Sequence, residues 1–125
     1  MPTDLPIYVL LVEDDIINSQ LFKMMLERLG YQVDLVLNGQ EALDKLSENT
    51  YKIVLMDCQM PILDGYAATQ ALREREAPGQ HTIVIGLSAH AMADMRARCL
   101  ASGMDDYLPK PLRINDLATM LQKWI

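Results

Sequence analysis

Asp57 ends Ile53-Val54-Leu55-Met56, an apolar run with no other polar group in it. Three more acids, Glu13-Asp14-Asp15, follow a second apolar run, IYVLLV at 7–12. Ser88 closes a third run, TIVIGLS at 82–88, and Lys110 follows the short segment DYLP. Carboxylates held close together repel, and at least one pKa rises unless a cation compensates. Two or three carboxylates with a backbone carbonyl and waters make an all-oxygen site that suits Mg2+. Such an ion keeps some of its waters and couples to a phosphoryl group. A carboxylate is also a nucleophile that can form an acyl phosphate. Phosphoryl transfer needs in-line positioning and neutralised equatorial oxygens, for which Mg2+, Lys110 and the Ser88 hydroxyl are suitable partners. These residues are the parts needed to phosphorylate an aspartate.

They act together only if the fold gathers them. IYVLLV (7–12) reads as a buried strand. A helix follows, capped by Asp15 and stopped at Gly30, with Ile17, Leu21, Met24, Met25 and Leu29 on its predicted inner face. QVDLVL (32–37) reads as an edge strand, and Asn38 caps a second helix carrying Ala42, Leu43 and Leu46. KIVLMD (52–57) is the next buried strand, and GYAATQALRERE (65–76) a helix capped by Asp64. After a Pro78-Gly79 loop come the strand 82–88, a helix over 91–103 closed by Gly103, a very short strand in DYLPKP, and an amphipathic helix over 114–125. The order is βα repeated five times, which predicts a single α/β domain over 1–125: a doubly wound parallel sheet with helices on both faces. In such a sheet the ligand crevice lies beyond the carboxyl ends of the strands. Glu13, Asp14, Asp15, Asp57, Ser88 and Lys110 all fall at those ends.

The segments VLLVEDD, IVLMDCQMPILDG, IGLSAHA and GMDDYLPKPL, in this order, resemble the response-regulator receiver domain of the CheY-like, flavodoxin-fold type, over residues 7–125. The resemblance implies strand order 2-1-3-4-5. It implies that Asp57 is the phosphoacceptor, that Asp14 binds Mg2+ directly with Glu13 helping through water, and that Gln59 gives its backbone carbonyl. Ser88 takes the place of the switch hydroxyl, Lys110 contacts the phosphoryl oxygens, Tyr107 is the aromatic that changes rotamer, and Lys110-Pro111 is a cis peptide. The implied partners are a histidine kinase or a histidine phosphotransfer domain. The implied output is a remodelled face of the fourth helix, fifth strand and fifth helix. The later part of the chain looks most like receivers of hybrid sensor kinases, so both a stand-alone regulator and an excised receiver are open. Two departures from the family pattern are Glu13 in place of a commoner Asp, and Pro109, which stiffens the loop and removes a backbone donor.

Other readings weigh less. Haloacid-dehalogenase-type phosphatases carry Asp-x-Asp after the first strand, whereas Asp57 is followed by Cys58 and Gln59. A binding module that has lost phosphorylation would be expected to lack Asp57, Lys110 or a first-loop acid. A flavin module would need a Ser/Thr/Gly-rich phosphate loop where EDDIINSQ stands. Asp105-Asp106 reads as a solvated turn rather than a second metal site, and His81 and His90 as solvent-facing. The receiver reading makes the protein no conventional enzyme, though it catalyses its own aspartyl phosphorylation and slow dephosphorylation.

Composition sets the remaining bounds. The 125 residues are half hydrophobic, enough for one core, and the formal net charge is -6. That charge argues against a direct nucleic-acid surface, which needs clustered Lys and Arg. The apolar runs fall short of the ~18 residues a membrane span needs. No secretory signal is legible in MPTDLPI. The expected compartment is therefore cytoplasmic, with Cys58 and Cys99 reduced and buried as small hydrophobes. The nine methionines are read chiefly as core.

Overall fold

The computed structural model describes residues 8–89 and 94–125. Five strands and five helices alternate: β1 (Tyr8–Val12), α1 (Ile16–Arg28), β2 (Gln32–Val36), α2 (Gly39–Glu48), β3 (Ile53–Asp57), α3 (Gly65–Arg75), β4 (Ile83–Ser88), α4 (Met95–Ala101), β5 (Asp106–Pro109) and α5 (Ile114–Trp124). The strands form one parallel sheet in the order β2-β1-β3-β4-β5. This is the predicted doubly wound α/β architecture. The strand order reverses at β1 and β3, so the crevice opens at their carboxyl ends.

Alternation along the strands splits the core in two. Leu10, Val12, Val54, Met56 and Val84 face Ala42 and Leu43 of α2 and Ala68 and Leu72 of α3. Val9, Leu11, Ile53, Leu55, Ile85 and Leu87 face Phe22 and Leu26 of α1 and Leu117 and Leu121 of α5. Because β1, β3 and β4 are covered on both faces, their sequences are continuously apolar rather than alternating. β2 and β5 lie at the edges. Pro109, which has no N–H to donate, sits at the end of β5, where its missing bond falls on the outer side of the sheet or past its end.

The caps are where the sequence places them. Asp15 Oδ1 accepts from the Asn18 amide, Asn38 Oδ1 from the Glu41 amide and Asp64 Oδ1 from the Ala67 amide. Gly30 and Gly103 follow their helices at φ +99° and +105°, a left-handed conformation that suits glycine. Cys58 and Cys99 are both buried and unbridged.

The inner face of α1 differs from the one read in sequence. Its buried residues are Ser19, Phe22 and Leu26, whereas Ile17, Leu21 and Met24 are exposed and Met25 and Leu29 are only partly buried. The helix carries two apolar stripes, so periodicity alone does not choose between them. The loop leaving β1, anchored by the Asp15 cap, fixes the rotation and turns Phe22 and Leu26 onto the sheet.

Candidate active site

Glu13 continues β1 by one residue: its amide donates to the Val36 carbonyl oxygen at 3.1 Å, and the residue is buried. Asp14 and Asp15 are exposed. Asp57 ends β3 and is buried, with the amide of the next residue, Cys58, donating to the Leu87 carbonyl oxygen of β4 at 2.8 Å. Gln59 turns back over Asp57, its amide donating to Asp57 Oδ1 at 3.2 Å. A Cβ on Gly65 would collide with the Asp57 carbonyl oxygen, so the start of α3 packs directly against the acid because that residue is glycine.

Lys110 reaches the same place from the far side of the sheet. Its amide donates to the Ser88 carbonyl oxygen at 2.7 Å, and the Lys110-Pro111 peptide is cis. Its Nζ lies 2.6 Å from Glu13 Oε1 and 3.0 Å from Asp57 Oδ2. Burial alone would lower the lysine pKa, but the Glu13 and Asp57 carboxylates outweigh it and hold the ammonium above its ordinary value. Glu13 is pushed above the usual carboxylate range by burial first and by the adjacent Asp57 second, against the pull of Lys110. Ser88 is buried at the end of β4, beside this pair, and Tyr107 stands half-buried on β5, paired in register with Gly86.

One ammonium therefore serves two buried carboxylates, with Asp14 at their mouth. Oxygens of Glu13, Asp14 and Asp57 lie within 4.8 Å of one another. A hard, all-oxygen set with surplus negative charge fits a small divalent cation, which would offset that charge. The arrangement can present Asp57 as a nucleophile, with Lys110 supplying positive charge beside it.

Of the residues singled out in sequence, Glu13, Asp14, Asp57 and Lys110 converge, and Gln59 and Ser88 border them. Asp15 and Asp64 are helix caps. His81 is largely exposed but contacts Asp105 Oδ1 at 2.6 Å. His90 lies outside the described residues. Sequence reasoning missed Ile62, an exposed β-branched residue at φ +72° in the loop between Asp57 and α3.

Asp105-Asp106 is not a solvated turn. Asp106 is 1% exposed: Oδ1 accepts from Arg96 and from the Tyr107 amide, and Oδ2 from Lys123 Nζ at 2.9 Å and Trp124 Nε1 at 3.0 Å. Asp105 Oδ2 accepts from Arg73 Nη2 at 3.0 Å and the Val84 amide at 2.8 Å. The partners sit on α3, β4, α4 and α5, out of reach of any local sequence window. This is a structural junction joining four elements.

The family model for the response regulator receiver domain matches residues 9–122. The chain is 42% identical over 118 residues to the sensor histidine kinase GacS of Pseudomonas protegens, covering 93% of this chain and 13% of that protein. It is 35% identical over 125 residues to hybrid signal transduction histidine kinase B of Dictyostelium discoideum, covering 92% of this chain and 6% of that one. The chain thus spans only a small part of these relatives. Among solved structures, it is 41% identical to the receiver domain of sensor histidine kinase PA1611 from Pseudomonas aeruginosa, crystallised with a magnesium ion coordinated in the active site cleft. That match has a TM-score of 0.87 and covers 95% and 97% of the two chains. The receiver domain of Ssk1 in complex with the histidine phosphotransfer protein Ypd1 of Saccharomyces cerevisiae matches at TM-score 0.87 and 29% identity, over 95% and 88% of the chains. Fold, site geometry and relatives agree, and the chain belongs to the response regulator receiver domain family.

Proposed function

We propose that the chain works as a single receiver domain over 1–125 that takes a phosphoryl group from a phosphohistidine onto Asp57. The observation that carries this reading is the buried ion pair of Lys110 with Glu13 and Asp57 at the carboxyl edge of the sheet. Asp14 and Asp57, the Gln59 backbone carbonyl and, through water, Glu13 would hold Mg2+. Bound there, the ion supplies positive charge to the transferring phosphoryl oxygens. Asp57 Oδ attacks phosphorus, the P–N bond to histidine breaks, and an acyl phosphate forms. Lys110 shifts from its carboxylate partners to the new phosphoryl oxygens. The Ser88 hydroxyl hydrogen-bonds another of these oxygens, and Tyr107 follows into the space that opens. The acyl phosphate thus favours one of two arrangements of the α4-β5-α5 face by contacts available only in that arrangement.

The surface around the site favours a helical donor. Ile16, Ile17, Leu21 and Met24 of α1 and Ile62 of the neighbouring loop are exposed and apolar. Such a stripe beside the phosphoacceptor suits docking of a histidine kinase or histidine phosphotransfer domain. Histidine kinases that carry a matching segment support a place in a phosphorelay, as a stand-alone regulator or as the receiver of a hybrid kinase. No described helix is long and apolar enough to cross a membrane, and a cytoplasmic setting is where such donors would meet this domain.

Intact-protein mass spectrometry tests the reading. With Mg2+ and a small-molecule phosphodonor, the wild type should gain one phosphoryl group that hydroxylamine removes. Asp57→Asn should gain none while keeping its fold by circular dichroism. Chelating the ion should stop uptake. A stable phosphoryl adduct on Asp57→Asn would move the acceptor elsewhere, and steady turnover of an external phosphate monoester would favour a hydrolase.

A further inference from the structure

Cys58 follows the phosphoacceptor directly, and Cys99 lies on α4, 41 residues later. Their sulfurs are 3.7 Å apart in the core, and they are the only two cysteines in the chain. A third sulfur joins them. A Cβ built on Gly86 would stand 2.6 Å from Met104 Sδ, 3.0 Å from Cys99 Sγ and 3.2 Å from Cys58 Sγ. Gly86 therefore leaves the room in which the two thiols meet, on the face of β4 that looks toward α4. We propose that Cys58 and Cys99 are a peroxide-oxidisable dithiol, and that their disulfide clamps α4 to the end of β3.

Geometry favours the step: the sulfurs have only to close from 3.7 Å to the ~2.05 Å of a disulfide. Either sulfur can donate in this contact.

The reaction balances. The thiolate of either cysteine attacks one oxygen of hydrogen peroxide and the O–O bond breaks. The departing hydroxide takes a proton, leaving a sulfenic acid and one water. The sulfur of the other cysteine then attacks the sulfenic sulfur, the S–O bond breaks, and a second water leaves. Two thiols lose two electrons and two protons, and the peroxide becomes two waters. Access comes from α4 itself. It is seven residues long, its N-cap Asp94 makes no side-chain cap hydrogen bond, and its buried residues are Met95 and Cys99. A helix so short opens locally without global unfolding.

The test uses the full chain and two readouts that do not involve phosphorylation, so its failure leaves the phosphoacceptor reading standing. The protein is treated with hydrogen peroxide, quenched, denatured and alkylated with iodoacetamide. Oxidised wild type should weigh two hydrogens less, take up no alkyl group, and yield a peptide pair linked through Cys58 and Cys99. After reduction it should take up two. Cys58→Ala and Cys99→Ala should each show only oxygen adducts. Amide exchange across Met95–Ala101 should slow at least tenfold in the oxidised protein. Full alkylation after peroxide, oxygen adducts alone on the wild type, a linked dimer, or unchanged α4 exchange would each overturn the proposal. The wild-type readouts decide the matter even if an alanine variant fails to fold.

Discussion

Two clusters of buried charge sit at opposite ends of β5, and they are built on opposite ratios. Beyond its carboxyl end, Lys110 alone serves the carboxylates of Glu13 and Asp57, with Asp14 nearby. At its amino end, Asp106 alone receives two cations, an indole N–H and a backbone amide. Burial raises the pKa of both Glu13 and Asp106, but only Asp106 has enough donors to reverse the effect. Its hydrogen bonds from Lys123, Trp124, the Tyr107 amide and Arg96 hold it at about 2, while Glu13 stays above the usual range. A surplus of acid over cation leaves an appetite for further positive charge. A surplus of donors over acid leaves none. The first arrangement suits chemistry, and the second ties α4, β5 and α5 together.

Substitutions can break this contrast, and the largest effect should come from the acid-rich end. Lys110→Ala should lower phosphoryl uptake at Asp57 at least tenfold and abolish the change in the α4-β5-α5 face, with Mg2+ binding retained. Phosphorylation followed by mass, beside tryptophan fluorescence of Trp124, checks both parts. Normal uptake and response would reduce Lys110 to a structural lysine.

Asp106→Asn should do the reverse. It should cost about 2 kcal/mol of folding stability, since two ion pairs lose their charge, and leave uptake at Asp57 within about twofold. Urea unfolding measures the first and the phosphodonor assay the second. A phosphorylation defect as large as that of Lys110→Ala would erase the distinction between the two clusters.

Acid sharpens it further. The folded Asp106 pKa of about 2 lies below the ~3.9 of an unfolded aspartate, so the unfolded chain binds more protons between those values. The stability from Asp106 is therefore full above about pH 5 and lost as the pH falls toward 2. Asp106→Asn should flatten this part of the acid limb, as followed by circular dichroism. The smallest effect belongs to Lys123→Ala. The Lys123 side chain is 56% exposed, so its loss should cost under about 1 kcal/mol in the same unfolding assay.

The acid-rich end was legible in the sequence because each of its residues ends an element. A charge that interrupts an apolar run marks a strand terminus, and a parallel sheet brings such termini to one edge. The caps at Asp15, Asn38 and Asp64 were legible for a similar reason, since each bonds an amide three residues on. The donor-rich end was not legible. Asp106 takes its side-chain partners from residues 10 to 18 positions away, on two different helices, and no periodicity reports that meeting. The inner face of α1 was lost because two apolar stripes compete and a loop decides between them. The approach of Cys58 to Cys99 depends on a glycine in a strand that reads as ordinary core.

The ion pair of Lys110 with Glu13 also has a consequence for how the molecule is made. Its two residues come from near opposite ends of the chain and from strands that are not neighbours, with β3 and β4 lying between them. Loop closure makes so distant a contact slow to form, and it can form only after every intervening strand has been laid down. On a ribosome, the acids of the first loop emerge long before the lysine that steadies them. On the proposed function, a chain released early would carry Asp57 without Lys110 and take up phosphoryl groups poorly. Acids and lysine stand together only once β5 has been added to the sheet.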